Sequence, residues 1–195
     1  MADRGWARVG KLLVAILAVA IVAAAAAAIV ALRSGISART APTATEAMIA
    51  TAARRFAIPV SARQMRNPIP LTSAAIAEGR DHFADHCATC HANDGSGKTD
   101  IGTSLYPAAP DMRRARTQEL SDGELFYIIK NGVRLTGMPA WGDERDDADN
   151  WKLVHFIRHL PKITPQELDE MRKMNPVSPH ERMEQEKDEE FLKGH

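Results

Sequence analysis

The sequence predicts an all-α chain, with one membrane-length helix near the N-terminus and a small helical domain after it. Three observations predict this. Residues 12–32 form an uninterrupted apolar run of 21 residues, about 31 Å long as a helix and enough to cross a bilayer core. Downstream, apolar residues recur at three- and four-residue spacing behind recognisable N-caps. No stretch of useful length alternates apolar and polar residues, and no segment repeats.

The elements follow in order. Arg4, Arg8 and Lys11 precede the apolar run, which keeps residues 1–11 in the cytoplasm and makes residues 12–32 a single-pass anchor. The run exceeds the 7–15 residues of a signal-peptide core, so an uncleaved anchor is expected. Its alanine-rich second half leaves a cleaved signal as the competing reading. Residues 33–71 read as a periplasmic tether, broken by Pro42, Pro59, Pro68 and Pro70. A short helix over residues 45–56 fits within it, with Met48, Ala52 and Phe56 on one face. The segment from Asn67 to Pro70 should be extended.

Residues 72–160 form the domain. Thr72 or Ser73 caps its first helix, and Ile76, Gly79, Phe83 and Cys90 continue one face through it. Gly79 in mid-helix implies the close approach of another helix. The partner is the segment 149–160, with Trp151, Val154, Ile157 and Leu160 on a broad apolar face and Pro161 at its end. Ser121 and Glu124 form a capping box ahead of Leu125, Ile128 and Ile129, and Asn131-Gly132 stops that helix. Residues 161–195 read as a charged helix and tail. Thr164-Pro165-Gln166-Glu167 starts the helix and Asn175-Pro176 ends it. Residues 184–190 are mostly acidic and read as solvated, with Phe191-Leu192 as a candidate partner anchor.

The formal net charge of zero hides a division along the chain. Residues 1–71 are basic, whereas residues 72–160 carry ten basic and fourteen acidic side chains. An acidic domain argues against a nucleic-acid partner and is compatible with a basic docking partner.

Both cysteines of the chain lie in Cys87-Ala88-Thr89-Cys90-His91. This is the attachment signature of a c-type haem. One helical turn lets both thiols reach the two vinyl groups on one porphyrin edge, and the next residue, His91, then lies under the iron as axial ligand. A zinc site needs about four ligands and a second Cys/His pair. A thioredoxin-like site needs a βαβ setting, which is absent. One covalent haem c is therefore expected, attached on the outer side of a bacterial inner membrane. Met138, in Gly137-Met138-Pro139-Ala140-Trp141, follows the capped helix in a loop. Its thioether suits haem iron, and Pro139 stiffens the loop. On loop context alone, an ordinary core methionine is an equal reading.

Residues 72–160 resemble a class I cytochrome c. The resemblance is carried by Gly79 and Phe83, the motif from Cys87 to His91, the loop Asp94-Gly95-Ser96-Gly97 and the stretch Leu105-Tyr106-Pro107-Ala108-Ala109-Pro110. It continues through residues 120–132, Thr136-Gly137-Met138-Pro139-Ala140-Trp141, and Trp151 with Phe156. It implies the class I fold around one covalent haem, thioether links at Cys87 and Cys90, and His91 with Met138 as the axial iron ligands. It also implies a prolyl carbonyl fixing the His91 ring, from Pro107 or Pro110. One departure is Ala92, where the family often has glycine.

Other residues have plainer readings. The pairs His82/His86 and His155/His159 have metal-binding spacing but read as solvent-facing. Met65 and Met112 are poor alternative ligands. Trp141 reads as a wall of the haem pocket. Arg113, Arg114 and Arg116 read as a solvated loop rather than as partners of haem propionates. Two axial ligands leave iron no site for substrate. The expected function is therefore periplasmic electron transfer between redox proteins by a membrane-anchored monohaem cytochrome that is not itself an enzyme. The alternative is a haem-bearing subunit of a larger dehydrogenase or oxidase complex, and a gas sensor with an open sixth site ranks third.

Overall fold

The computed structural model describes residues 3–33, 37–142, 147–176 and 187. Every regular element among them is helical, as expected. The chain divides into two compact units, residues 1–37 and residues 38–195. The first holds α1, Asp3–Arg33, in which Arg8–Val30 is long and apolar enough to cross a membrane.

The second unit begins with α2, Ala44–Ala57. Thr43 Oγ1 accepts from Glu46 N at 3.2 Å, and Glu46 Oε2 accepts from Thr43 N at 2.7 Å, a reciprocal cap. The expected face is present, but Met48 and Phe56 remain exposed. After α3, Val60–Gln64, the chain does not behave as a free tether. Ile58 and Ala62 are buried. Ser121 Oγ donates to the Arg63 carbonyl at 3.0 Å, and Asn67 Nδ2 donates to the Trp151 carbonyl at 2.9 Å. These contacts join residues far apart in sequence, so no local pattern announces them.

The core is a crossing of α4, Ser73–His82, over α9, Asp147–His159. Thr72 caps α4. A Cβ at Gly79 would sit 2.6 Å from the Lys152 carbonyl carbon, so only glycine allows this approach. Beside the crossing, the rings of Phe83 and Phe156 lie 5.1 Å apart, and both are fully buried. Each contributes roughly 2–3 kcal/mol by burial. A π-helical turn, Phe83–Cys87, then leads into α5, Ala88–His91. Two short helices follow, α6 (Asp100–Ser104) and α7 (Ala115–Gln118).

Next comes α8, Asp122–Asn131, opened by the expected Ser121/Glu124 capping box and closed at Gly132. It stacks Phe126 on Trp151 of α9 at 4.1 Å. Arg158 ties α9 to the start of α8 through the Gln118 and Leu120 carbonyls and Asp122. A 3-10 turn, Leu160–Lys162, leads to α10, Pro165–Arg172. Met171 of α10 is completely buried, and Arg80 pairs with Glu170 at 2.5 Å. The start of the C-terminal segment is thus part of the core. The acidic run and Phe191-Leu192 lie outside the described residues, apart from Lys187.

Candidate functional site

Cys87, Cys90, His91 and Met138 line one cleft. Its remaining walls are largely apolar and include Leu105, Leu125, Ile129, Leu153 and Trp141. Its volume is about 1350 Å³, mouth included.

The cysteine wall is set by helix geometry. The π-helical turn, with its extra residue per turn, ends on Cys87, and α5 then carries Cys90 one turn further on. Both are free thiols. Burial, with Cys90 as a second cause, pushes the Cys87 thiol up to about 12. Among the described residues, no three of His, Cys, Asp and Glu converge as a metal cluster.

His91 is buried, and burial lowers its ring to about 4, with the Pro110 carbonyl pulling weakly the other way. The imidazole is therefore neutral at pH 7, the form that ligates metals. Nδ1 is buried without a hydrogen bond of good geometry. Of the two prolyl carbonyls expected to orient the ring, that of Pro110 acts on it, raising its pKa against the effect of burial. The loop after His91 is backbone-locked. Gly97 N donates to the His91 carbonyl at 2.8 Å, Gly95 N to Ala92 at 3.0 Å and Met112 N to Gly95 at 2.8 Å. Ala92 turns this corner at φ 60° and ψ 156°, a region that glycine occupies freely and alanine only under strain. The departure at Ala92 is therefore a strained point.

Met138 sits in the loop after α8. Gly132, at φ 65°, opens it, and a Cβ there would meet the Met138 carbonyl oxygen at 2.7 Å. Val133 N donates to the Met138 carbonyl at 3.1 Å, and Met138 N donates to Thr136 Oγ1 at 3.1 Å. Trp141 N closes the loop on the Ile129 carbonyl at 3.0 Å. An apolar cleft with two thiols, a neutral imidazole and a thioether is a donor set that fits haem c.

The other candidates disperse. His82 and His86 stand 4.8 Å apart, and His86 meets Trp141 edge-on. His155 is buried rather than solvent-facing, with Nε2 2.8 Å from the Ile69 carbonyl. His159 Nε2 lies 2.8 Å from Glu167 Oε1. Met65 is exposed, while Met112 is buried and lines the cleft. Arg113 bridges Asp111 and Asp94, each at 2.8 Å, and Arg114 reaches Asp111 at 3.2 Å. Arg116 differs from its neighbours: it lines the cleft and donates to Thr51 Oγ1 of α2 at 2.9 Å.

One wall of the cleft escaped the sequence reading. Ala50, Thr51 and Arg54 of α2 also line the cleft. The one signal was the small-residue face of Ala47, Ala50 and Thr51, which suits close packing.

The sequence profile of the family described as cytochrome C oxidase, cbb3-type, subunit III matches residues 74–157. The Cbb3-type cytochrome c oxidase subunit CcoP of Cereibacter sphaeroides is 31% identical over 88 residues, which is 45% of this chain and 28% of that protein. The Cbb3-type cytochrome c oxidase subunit FixPc of Rhizobium leguminosarum bv. viciae is 32% identical over 83 residues, 42% of this chain and 26% of that protein. The chain thus spans about a quarter of the length of these curated relatives.

Proposed function

From the premise of a c-type cytochrome domain at residues 74–157, preceded by a helix of membrane-spanning length, we propose that this chain is a haem-bearing electron-transfer subunit of a membrane oxidase complex of the cbb3 type. The observation that carries the reading is the convergence of Cys87, Cys90, His91 and Met138 on one apolar cleft. Bound there, haem c supplies a one-electron iron couple.

Each side chain has a role. Cys87 and Cys90 would hold the group covalently, as thioethers. His91 and Met138 would hold the haem iron through an imidazole nitrogen and a thioether sulfur, a donor set suited to passing electrons. Burial keeps His91 neutral. The Val133, Thr136 and Trp141 hydrogen bonds hold the methionine loop, and the apolar walls exclude water. The chain has no third cysteine, so it carries one haem. Its domain is periplasmic, with α1 as a single-pass anchor.

The free shuttle that sequence alone favours is the weaker reading, since both relatives are oxidase subunits by name. Detergent extraction followed by size measurement decides between them. Co-migration of the haem-stained chain with oxidase activity is expected, and a lone 21.3 kDa species would overturn the subunit role. Carbon monoxide shifting the ferrous spectrum of the native protein would overturn the His/Met assignment and restore the gas-sensor reading.

A further inference from the structure

α2 lies outside the residues matched by the family profile, yet it places Arg54 in the wall of the cleft. Arg54 Nε is inaccessible to solvent and has no hydrogen-bond partner, an expensive state for a cationic group. Arg116 reaches the same cleft from α7 and is hydrogen-bonded to Thr51, one turn before Arg54 on α2. Among the described residues, no lysine and no other arginine lines the cleft. Burial, Arg116 and Arg55 all act to lower the Arg54 pKa, and only Glu124 opposes them. That carboxylate is already shared: Glu124 Oε2 accepts from Ser121 N at 2.8 Å, and Arg63 stands 3.8 Å from its other oxygen. Among the described residues, the cations acting on Arg54 therefore outnumber the carboxylates.

We propose that Arg54, braced by Arg116 and Thr51, forms the carboxylate-binding end of the cleft and receives the haem propionates, so that α2 is a cofactor clamp rather than part of a tether. The proposal rests on the haem reading above. Its chemical reason is simple. The thioethers fix the vinyl edge at Cys87 and Cys90, and the propionates leave the porphyrin from another edge as two carboxylates. Arginine binds a carboxylate through paired N–H donors, and the half-buried Arg54, beside the exposed Arg116, gains the partner that its Nε lacks. A positive charge near the iron also favours the ferrous state, which carries one positive charge less.

The test is redox titration of the haem-loaded full chain in detergent, comparing the native protein with Arg54→Gln and Arg54→Lys. Arg54→Gln is expected to lower the midpoint potential by about a tenfold change in the reduction equilibrium, about 59 mV for one electron, and Arg54→Lys to restore most of it. The native potential should stay flat from about pH 5 to 8, because the arginines keep the propionates ionised. In Arg54→Gln it should fall as pH rises, because a propionate then titrates in this range. His86, paired with Asp85 at 3.2 Å, also lines the cleft, so the slope must persist in an Arg54→Gln, His86→Gln double variant. Arg116→Gln is the second variant, with a drop in the same direction.

Unchanged potentials and pH profiles in both single variants, with haem still attached, would overturn the clamp and leave the electron-transfer reading standing. An effect that appears only in phosphate buffer would assign the site to a free anion and also overturn it. Native protein that binds no haem would overturn the reading beneath it.

Discussion

The two walls that present His91 and Met138 are built in opposite ways. The His91 wall is helical and buried, continuous with the α4–α9 crossing, and pinned by backbone bonds from Gly95 and Gly97. The Met138 wall is a loop. Gly137, Pro139 and Ala140 are exposed, Leu135 is 93% exposed, and the segment hangs on the end of α8 by a few hydrogen bonds. One wall belongs to the fold, whereas the other is an attachment to it. Ligand exchange should therefore occur on the methionine side, with the histidine side holding its geometry.

The largest test removes the rigid wall's chemistry. Cys87→Ser together with Cys90→Ser should abolish covalent haem, so that no haem stain survives denaturing electrophoresis. Retained stain would refute attachment at this wall. Met138→Ala attacks the other wall and should separate the two. Haem should remain attached, while the weak far-red iron–sulfur band disappears and carbon monoxide begins to bind. Survival of that band would sink the Met138 assignment.

Smaller effects sharpen the contrast. Gly132→Val forces a branched side chain into φ 65° and against residues 138–140. It should cost about 2–3 kcal/mol in denaturant unfolding and weaken the far-red band before haem attachment is affected. Ala92→Gly should do the reverse on the rigid wall. It relieves the strain at φ 60° and should add about 1 kcal/mol of stability with the spectrum unchanged. A loss of stability would mean that the corner is not strained.

The smallest effect is electrostatic. Hydrogen bonds from Arg113, the first of the causes, hold the Asp111 carboxyl well below the ordinary range. A depressed folded pKa gives stability that is present above the unfolded value, about 3.9, and lost as pH falls through the folded value. Unfolding midpoints should be level near neutrality and decline below about pH 4. Asp111→Asn should flatten that decline. Parallel acid profiles for the two proteins would count against it.

Features with local signals were legible in the sequence. The apolar run, the caps at Thr72, Ser121 and Thr164, and the glycine of the crossing at Gly79 each announce themselves within a few residues. The motif from Cys87 to His91 is equally local, and its cysteines and histidine line one cleft. What the sequence hid depends on distance. The burial of Ile58 and Ala62, the His155–Ile69 contact and the Arg54–Arg116 pair join segments dozens of residues apart. The strain at Ala92 was hidden differently, because alanine's small size masks its backbone angle.

The docking of residues 58–69 has a mechanical consequence. Had residues 34–71 been free, 38 residues would separate α1 from the domain, with a maximum span of about 130 Å. With the compact unit starting by α2, only ten residues lie between Arg33 and Ala44, a maximum span of about 35 Å. A connection this short suits the proposed subunit of a membrane complex better than a carrier that must reach a diffusing partner.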